Sequence, residues 1–537
     1  MKNWLRRLIA CLLLLCLLPA VPVGAQEDAA RELSGQALVS ASTGFTNLAS
    51  LFDGKDSEGF FTKENGSLTL TAPEGIGSLY IVFGKEYGTY TVTDDATGVS
   101  KTFGEDMYIH EFLDLSAAFG YAPQSVTLRF EKGSVGIYEL YAFTAGKTPD
   151  FVQKWGAPMD GRTDMILFST HGDDEQIFFA GLLPYYAGEL GYRVQLVYLT
   201  DHRNQTDVRI HETLNGLWAV GVDIYPVFGT YNDFFVVTQE QAYWSFNNLG
   251  WTREHLIGFV VEQLRRFKPQ VVVGHDFDGE YGHGQHMAYA DMLAAALEVS
   301  NNDKKYKESA QKYGVWDVPK AYFHLYKDNP IIMDWDQPLE RFGGMTAFKV
   351  SQQLGYPCHE SQYWDFAKYI VGYKSAEAVN QYNPREYGLY RSLVGEDVKK
   401  NDFFENIVIY AEQERIAEEQ RQREEQARLE EEARQEALRR EEEQRQQAEQ
   451  QRLEEEKRKQ EEQARLEEEA RLEAQRQAEA QRRKEETAER IWLTFCLVVL
   501  GVLCVVLLLW IVMLLRKPQK RRKRKNFKKD ENNTCFF

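Results

Sequence analysis

The sequence predicts an α/β domain with a parallel sheet, preceded by an all-β region and followed by a long charged helix and one apolar span. Three observations carry this. Up to about Thr148 the chain is built of short alternating runs punctuated by Gly, Asp and Asn. From about Asp150 to Glu405, apolar β-rich runs alternate with stretches that have helical apolar spacing. From about Asp402 to Arg490 there is no Gly or Pro, and Glu, Gln, Arg and Ala dominate.

Taken in order, Lys2, Arg6 and Arg7 precede the apolar run Leu8 to Leu18, and Val23-Gly24-Ala25 supplies the small residues of a cleavage site. Residues 1–25 are therefore expected to be a signal peptide. Residues 26–148 contain "SLTLT" at Ser67, "SLYIVF" at Ser78, "SVTLRF" at Ser125 and "GIYELYAF" at Gly136, the pattern of a β-sandwich. Residues 150–405 carry "DMILFST", "VQLVYLT" and "VVVGHD" as buried strands, interleaved with the helical stretches "VRIHETLNGLWAVG" and "REHLIGFVVEQLRRF". This is βαβ grammar, a Rossmann-like parallel sheet covered on both faces, whose ligands gather beyond the C-terminal strand ends.

Residues 406–490 are expected to form a helical stalk, with Glu four residues before Arg at Glu424/Arg428, Glu436/Arg440 and Glu461/Arg465. Unbroken, it would reach on the order of 130 Å. Its leucines, among them Leu429, Leu453 and Leu466, keep no heptad spacing, which favours a solitary helix over a coiled coil. Ile491 to Leu515 is free of charge and long enough to span a bilayer as a single C-terminal transmembrane helix. The basic tail, residues 516–537, would then lie in the cytoplasm and the rest outside the cell membrane. That tail holds ten Lys and Arg against two acids, a net +8, so the overall −18 leaves −26 for everything before it. A basic block abutting a span reads as a stop-transfer signal and lipid contact rather than a nucleic-acid site. Of six cysteines only Cys358 lies outside the expected signal, span and tail, so no internal disulfide is expected in the exported part, a usage that suggests a bacterial surface protein.

Chemistry concentrates in "STHGDDEQIFFAG" and "DGEYGHGQHMAYADML". His171, Asp173 and Asp174 follow the first strand of the α/β region; His283 and His286 follow a later one, as does His275. Imidazole nitrogen and carboxylate oxygen are what Zn²⁺ takes, and a catalytic zinc keeps three protein ligands and one open position. The spacing of three puts His283 and His286 near one face of a helix, and either can bind metal. The competing reading is that Asp174 and Glu175 serve a helix N-terminus, where acids are favoured.

Two resemblances follow from these residues. "NLASLFDGKDSEGFF" and the strands after it resemble a discoidin-type, galactose-binding-like jelly roll, a family that often binds carbohydrate. "HGDDE" and "HGQH", with "VRIHETLNGLWAVGV" and "PCHESQ", resemble the LmbE-like or PIG-L-type N-acetylglucosamine deacetylases over about residues 160–400, with Gly172 where that family has proline. This resemblance implies zinc held by His171, Asp174 and His286, Asp173 as general base, and His283 stabilising the tetrahedral oxyanion. Arg203, Arg209 and His359 can orient a sugar or make internal contacts; for Arg209 an ion pair with Glu212, one helical turn on, is the simpler expectation. The expected function is a membrane-tethered extracellular zinc-dependent deacetylase acting on an N-acetylated amino sugar or glycan. A catalytically inactive glycan-binding surface protein and a zinc amidohydrolase on another substrate are the alternatives.

Overall fold

The alternating runs of the N-terminal region become antiparallel strands in the computed structural model, which describes residues 28–42, 47–201 and 208–512. In chain order these are β1 (Leu38–Ala41), β2 (Phe60–Phe61), β3 (Ser67–Thr71), β4 (Ser78–Phe83), β5 (Tyr90–Asp94), β6 (Ser100–Phe103), β7 (His110–Asp114), β8 (Ser125–Arg129) and β9 (Gly136–Phe143). They form a five-stranded sheet, β1-β3-β8-β5-β6, and a four-stranded one, β2-β9-β4-β7. In β3 the period of two sends Leu68 and Leu70 inward and the threonines outward, where Thr69 meets Thr127 across the strands at 2.8 Å. Leu68, Leu70, Val92 and Leu128 of one sheet share a core with Leu79, Ile81, Ile137 and Leu140 of the other. β4 does not alternate in burial, because Tyr80 and Val82 on its second face pack with Tyr138, Phe143 and Val152.

The second region contributes β10 (Met165–Ser169), β11 (Val194–Thr200), β12 (Val227–Tyr231), β13 (Val271–Gly274), β14 (Lys320–His324), β15 (Pro330–Ile332) and β16 (Glu386–Ser392). Their order is β12-β11-β10-β13-β14-β16-β15, parallel from β12 to β14 and antiparallel beyond. β10 and β11 are buried at every position, as strands covered on both faces must be. Leu167 faces one core and its neighbours Ile166 and Phe168 the other. Chain direction through the sheet reverses between β10 and β13, which makes the crevice above their C-terminal ends the natural ligand site.

Both regions belong to one compact unit that extends to Glu418. The helix α2 (Val208–Ala219), on the α/β side, meets β7 through a buried pair, His110 Nε2 to His211 Nδ1 at 2.8 Å, with Tyr80 Oη 2.9 Å from His110 Nδ1. Asn215 donates to Asp56 at 3.0 Å nearby. Burial pushes His110 and His211 each down to about 3, the latter also through the neighbouring His110. The unfolded chain takes up protons at these residues from about pH 6.5 downward while the folded one does not, so stability present above that pH is lost as pH falls toward 3. The melting temperature is expected to drop between pH 7.5 and 5, less steeply in His211→Asn; identical slopes would show that the pair is not responsible.

Residues from Glu419 onward form the second unit. Its helix begins in the first unit, as α6 (Tyr410–Val512), 103 residues without a break. Its start is pinned by Asp164, which accepts the Tyr410 N–H at 2.7 Å, and by Glu414, paired with both Arg193 guanidinium nitrogens at 3.0 and 2.8 Å. Further along, Glu436–Arg440, Glu441–Arg445 and Glu455–Lys459 pair one turn apart at 2.6, 2.8 and 2.8 Å.

The expected fold class requires a correction at this end. Among the described residues no helix is long and apolar enough to cross a membrane. The single C-terminal transmembrane helix expected at 491–515, the contact with a lipid bilayer and the single-pass membrane location are therefore withdrawn. Read alone, the apolar letters suggested a separate span; in the structure residues 491–512 are the last turns of the long charged helix, which is described only as far as Val512. The expected signal peptide, residues 1–25, and the basic tail, residues 516–537, lie outside the described residues.

Candidate active site

His171 and Asp173 sit in the turn between β10 and α1 (Asp174–Ile177), which Asp174 opens, and His283 and His286 at the start of α5 (Gly284–Leu297), which follows β13. In chain order the intervening helices are α2, α3 (Gln239–Asn248) and α4 (Arg253–Phe267). The two active-site turns face each other across the central crevice, and all five side chains are buried. His283 is the N-cap of α5: its Nδ1 accepts the Gln285 N–H at 3.1 Å, which leaves Nε2 to carry the proton. Its ring stacks on His286, with centroids 4.8 Å apart.

Three atoms define a cation-sized gap. His171 Nδ1, Asp174 Oδ2 and His286 Nε2 form a triangle with all three edges at 3.2 Å. Three ligands about 2.0–2.1 Å from a tetrahedral ion stand roughly 3.3 Å apart, so the donor set and its spacing fit Zn²⁺. Asp174 is held there by the His171 backbone N–H, 2.8 Å from Oδ2. His171 turns its other nitrogen, Nε2, to Asp233 Oδ1 and Gln285 Oε1, each at 3.3 Å, so Nδ1 keeps the lone pair that faces the gap. His283 and His275 also approach: ligand atoms of His171, His283 and His286 lie within 4.8 Å of one another, as do those of Asp174, His275 and His286.

The field in this gap favours positive charge. Against the effect of burial, Asp233 and Asp174 raise His171 well above the usual imidazole range, and Asp174 and Glu280 raise His286 to about 9. Asp174 is held well below the carboxylate range despite burial, chiefly by His286 and His171. Each of these protons answers the same carboxylates that a divalent cation would neutralise. Asp173 behaves differently: burial, opposed by Arg209, lifts it to about 6, and its Oδ2 is buried with no hydrogen-bond partner. His283 is pushed down to about 2 by burial and by His171 and His286, so it enters the neutral pH range as uncharged imidazole with an Nε2–H, not as an imidazolium.

The expected Arg209–Glu212 pair does not form. Arg209 Nη1 contacts Asp233 Oδ2 at 3.0 Å and Nη2 lies 3.8 Å from Asp173 Oδ1, while Glu212 accepts from the N–H and Oγ of Ser361 at 2.7 and 2.6 Å. Helical spacing proposed the partner; the face of α2 turned into the crevice decided otherwise. His359 is fully buried, 3.3 Å from Glu175 Oε1, and does not line the cavity. Arg203 falls outside the described residues. Sequence reasoning missed Asp233, two residues past β12; its position beyond a parallel strand end was the available signal. It also missed Glu280 and the aromatic wall. The cavity, about 250 Å³, is lined by His171, Asp173 and His283 with Phe235, Tyr281 and Phe366. Phe235 is two-thirds exposed at its rim, with its ring edge-on to His283 at 5.2 Å.

Comparison with known proteins gives the following likenesses. Residues 166–297 match the family described as PIG-L: GlcNAc-PI de-N-acetylase. A 1D-myo-inositol 2-acetamido-2-deoxy-alpha-D-glucopyranoside deacetylase of Catenulispora acidiphila is 26% identical over 211 residues, 34% of this chain and 62% of that protein. One of Streptomyces scabiei is 28% identical over 188 residues, 30% of this chain and 55% of that protein. The chain thus spans about three fifths of the length of the curated relatives it matches. The solved N,N'-diacetylchitobiose deacetylase from Pyrococcus horikoshii aligns with 14% identity and a TM-score of 0.28 over 43% of this chain and 83% of that one. The matched residues 166–297, which hold the two facing turns of the crevice, thus resemble the PIG-L family within a longer chain.

Proposed function

We propose that this protein hydrolyses the N-acetyl group of an N-acetylglucosamine-type sugar or glycan, with Zn²⁺ as cofactor held by His171, Asp174 and His286. The 3.2 Å triangle of unlike ligand atoms beside an unpaired Asp173 oxygen supports this reading most directly. The related deacetylases, whose names specify 2-acetamido sugars, supply the substrate class. A divalent cation in the gap supplies a Lewis acid that makes water nucleophilic near neutral pH.

The chain's own residues do the rest. Asp173 is the group positioned to take the proton from the attacking water, because its Oδ2 faces no competing donor and its raised affinity for a proton is matched to the neutral range. The same carboxyl then returns that proton to the leaving amine, completing C–N cleavage into acetate and amino sugar. The neutral Nε2–H of His283 donates to the carbonyl oxygen as it gains charge, and its Nδ1 bond to Gln285 keeps the ring aimed. Arg209 and Asp233, which also line the cavity, pair with Asp173 and His171. Phe235, Tyr281 and Phe366 offer flat apolar faces for a sugar ring and keep bulk water out.

The test is acetate release by the purified protein from a panel of N-acetylated amino sugars. Activity is expected to vanish with chelator and return with added Zn²⁺, because the ligands bind metal in their deprotonated forms. Release that persists after complete metal removal would overturn the proposal, as would no release from any sugar in the panel.

A further inference from the structure

Two triads compete for a cation here, His171–Asp174–His286 and Asp174–His275–His286, and Glu280 distinguishes them. It lies under the strand ends in a short turn, Glu280–Gly282, preceded by Gly279 at φ +68, where a Cβ would come within 2.6 Å of the His283 carbonyl oxygen. The turn folds the side chain back into the interior, where its residual exposure is zero. There one carboxylate meets three imidazoles. Glu280 Oε2 is 2.8 Å from His275 Nδ1 and 2.8 Å from His286 Nδ1, and Oε1 is 2.6 Å from His324 Nδ1 and accepts the Asp276 N–H at 3.2 Å. A carboxylate accepts, so each of those ring nitrogens carries its proton.

The opposite nitrogens are thereby set as well. His324 Nε2 faces the Asn383 carbonyl at 3.0 Å, an acceptor, so this ring donates from both sides. His275 Nε2 is a lone pair, but it is already occupied by the Thr170 backbone N–H at 2.9 Å and stands 3.6 Å from Asp174 Oδ2. His286 Nε2 stands 3.2 Å from Asp174 Oδ2 and 3.2 Å from His171 Nδ1 with no backbone donor bonded to it, so it is the nitrogen able to give a lone pair to a cation.

We propose that Glu280 is the positioning residue of this centre: by accepting the Nδ1–H of His275, His286 and His324 it presents His286 Nε2, and not His275 Nε2, to the cation. This rests on reading the crevice as a metal centre. Glu280 touches neither cation nor sugar; it acts through the orientation and basicity of His286, and such carboxylate–histidine pairs typically govern metal affinity by 10- to 100-fold.

The test uses the full chain, with Zn²⁺ alone as probe and a chromophoric chelator as competitor. Glu280→Gln is expected to weaken Zn²⁺ binding about 10- to 100-fold, with Glu280→Asp between it and the native protein, and His275→Gln is expected to bind Zn²⁺ far better than His286→Gln. Histidine-selective ¹⁵N NMR of the unsubstituted protein gives a readout that survives a variant's failure to fold: on adding Zn²⁺, the Nε2 resonance of His286 should shift as a ligand's does while that of His275 keeps its hydrogen-bonded value. The inference is overturned if Glu280→Gln binds Zn²⁺ as tightly as the native protein, if His275 Nε2 is the nitrogen that shifts, or if Zn²⁺ does not bind. Zn²⁺ bound as described without acetate release would leave this inference standing and remove the proposed activity instead.

Discussion

Asp173→Asn is expected to release acetate about 10² to 10⁴-fold more slowly while keeping its metal, and Asp174→Asn to lose the metal itself. The two carboxylates are adjacent in sequence but face different partners. Asp174 Oδ2 is one corner of the 3.2 Å triangle, so an amide there weakens a ligand and removes the charge that neutralises the cation. Asp173 is no corner of that triangle; its Oδ1 lies 3.8 Å from the Arg209 guanidinium and its Oδ2 has no hydrogen-bond partner. A cation beside it pulls its pKa below the value of about 6 that burial sets, so the acid limb of the pH–rate profile should fall at or below about pH 6, with activity rising as pH rises through it. Metal content by atomic spectroscopy and acetate release, measured on both variants, check the assignment. A metal-free Asp173→Asn protein, or one that turns over normally, would show the roles to be wrongly divided.

Arg209→Gln is the second change with a large expected effect. The guanidinium is 5% exposed and lies between two carboxylates, the buried Asp173 and the half-buried Asp233. Removing one member of a buried charge network leaves the others uncompensated, at a cost of about 3–5 kcal/mol. Its loss also removes the main influence holding Asp173 down, so the acid limb should move to higher pH. Adding Asp233→Asn to Arg209→Gln should recover part of the lost stability, since it removes a carboxylate stranded by the first change. Thermal melting of the single and double variants, with pH–rate profiles, tests this; a single variant that melts like the native protein with an unmoved acid limb would mean that the arginine is not the counter-ion the geometry makes it.

Much of the architecture is legible along the chain because it rests on local periodicity. The period of two in "SLTLT" and the continuous apolar runs "MILFS" and "VQLVYLT" name their strands, and strands buried on both faces require a covered parallel sheet. His171, Asp173, Asp174, His283 and His286 are visible as acids and imidazoles placed just beyond strand ends, where such sheets collect ligands. The same local reasoning misled twice. It paired Arg209 with Glu212 from helical spacing, and it took the apolar letters from Ile491 as a membrane span.

What the sequence determined by itself was therefore the order of the elements and the chemical kind of residue at each strand end, since both follow from spacing along one chain. The tertiary structure decided which of those residues meet. Asp233 reaches His171 from a different strand end, and His324 reaches Glu280 across 44 positions of sequence. It also decided the protonated nitrogen of each ring, because a histidine's tautomer is set by whichever acceptor or donor faces it. At Glu280 those partners come from the end of β13, the first turn of α5 and the end of β14, brought together only when the chain folds.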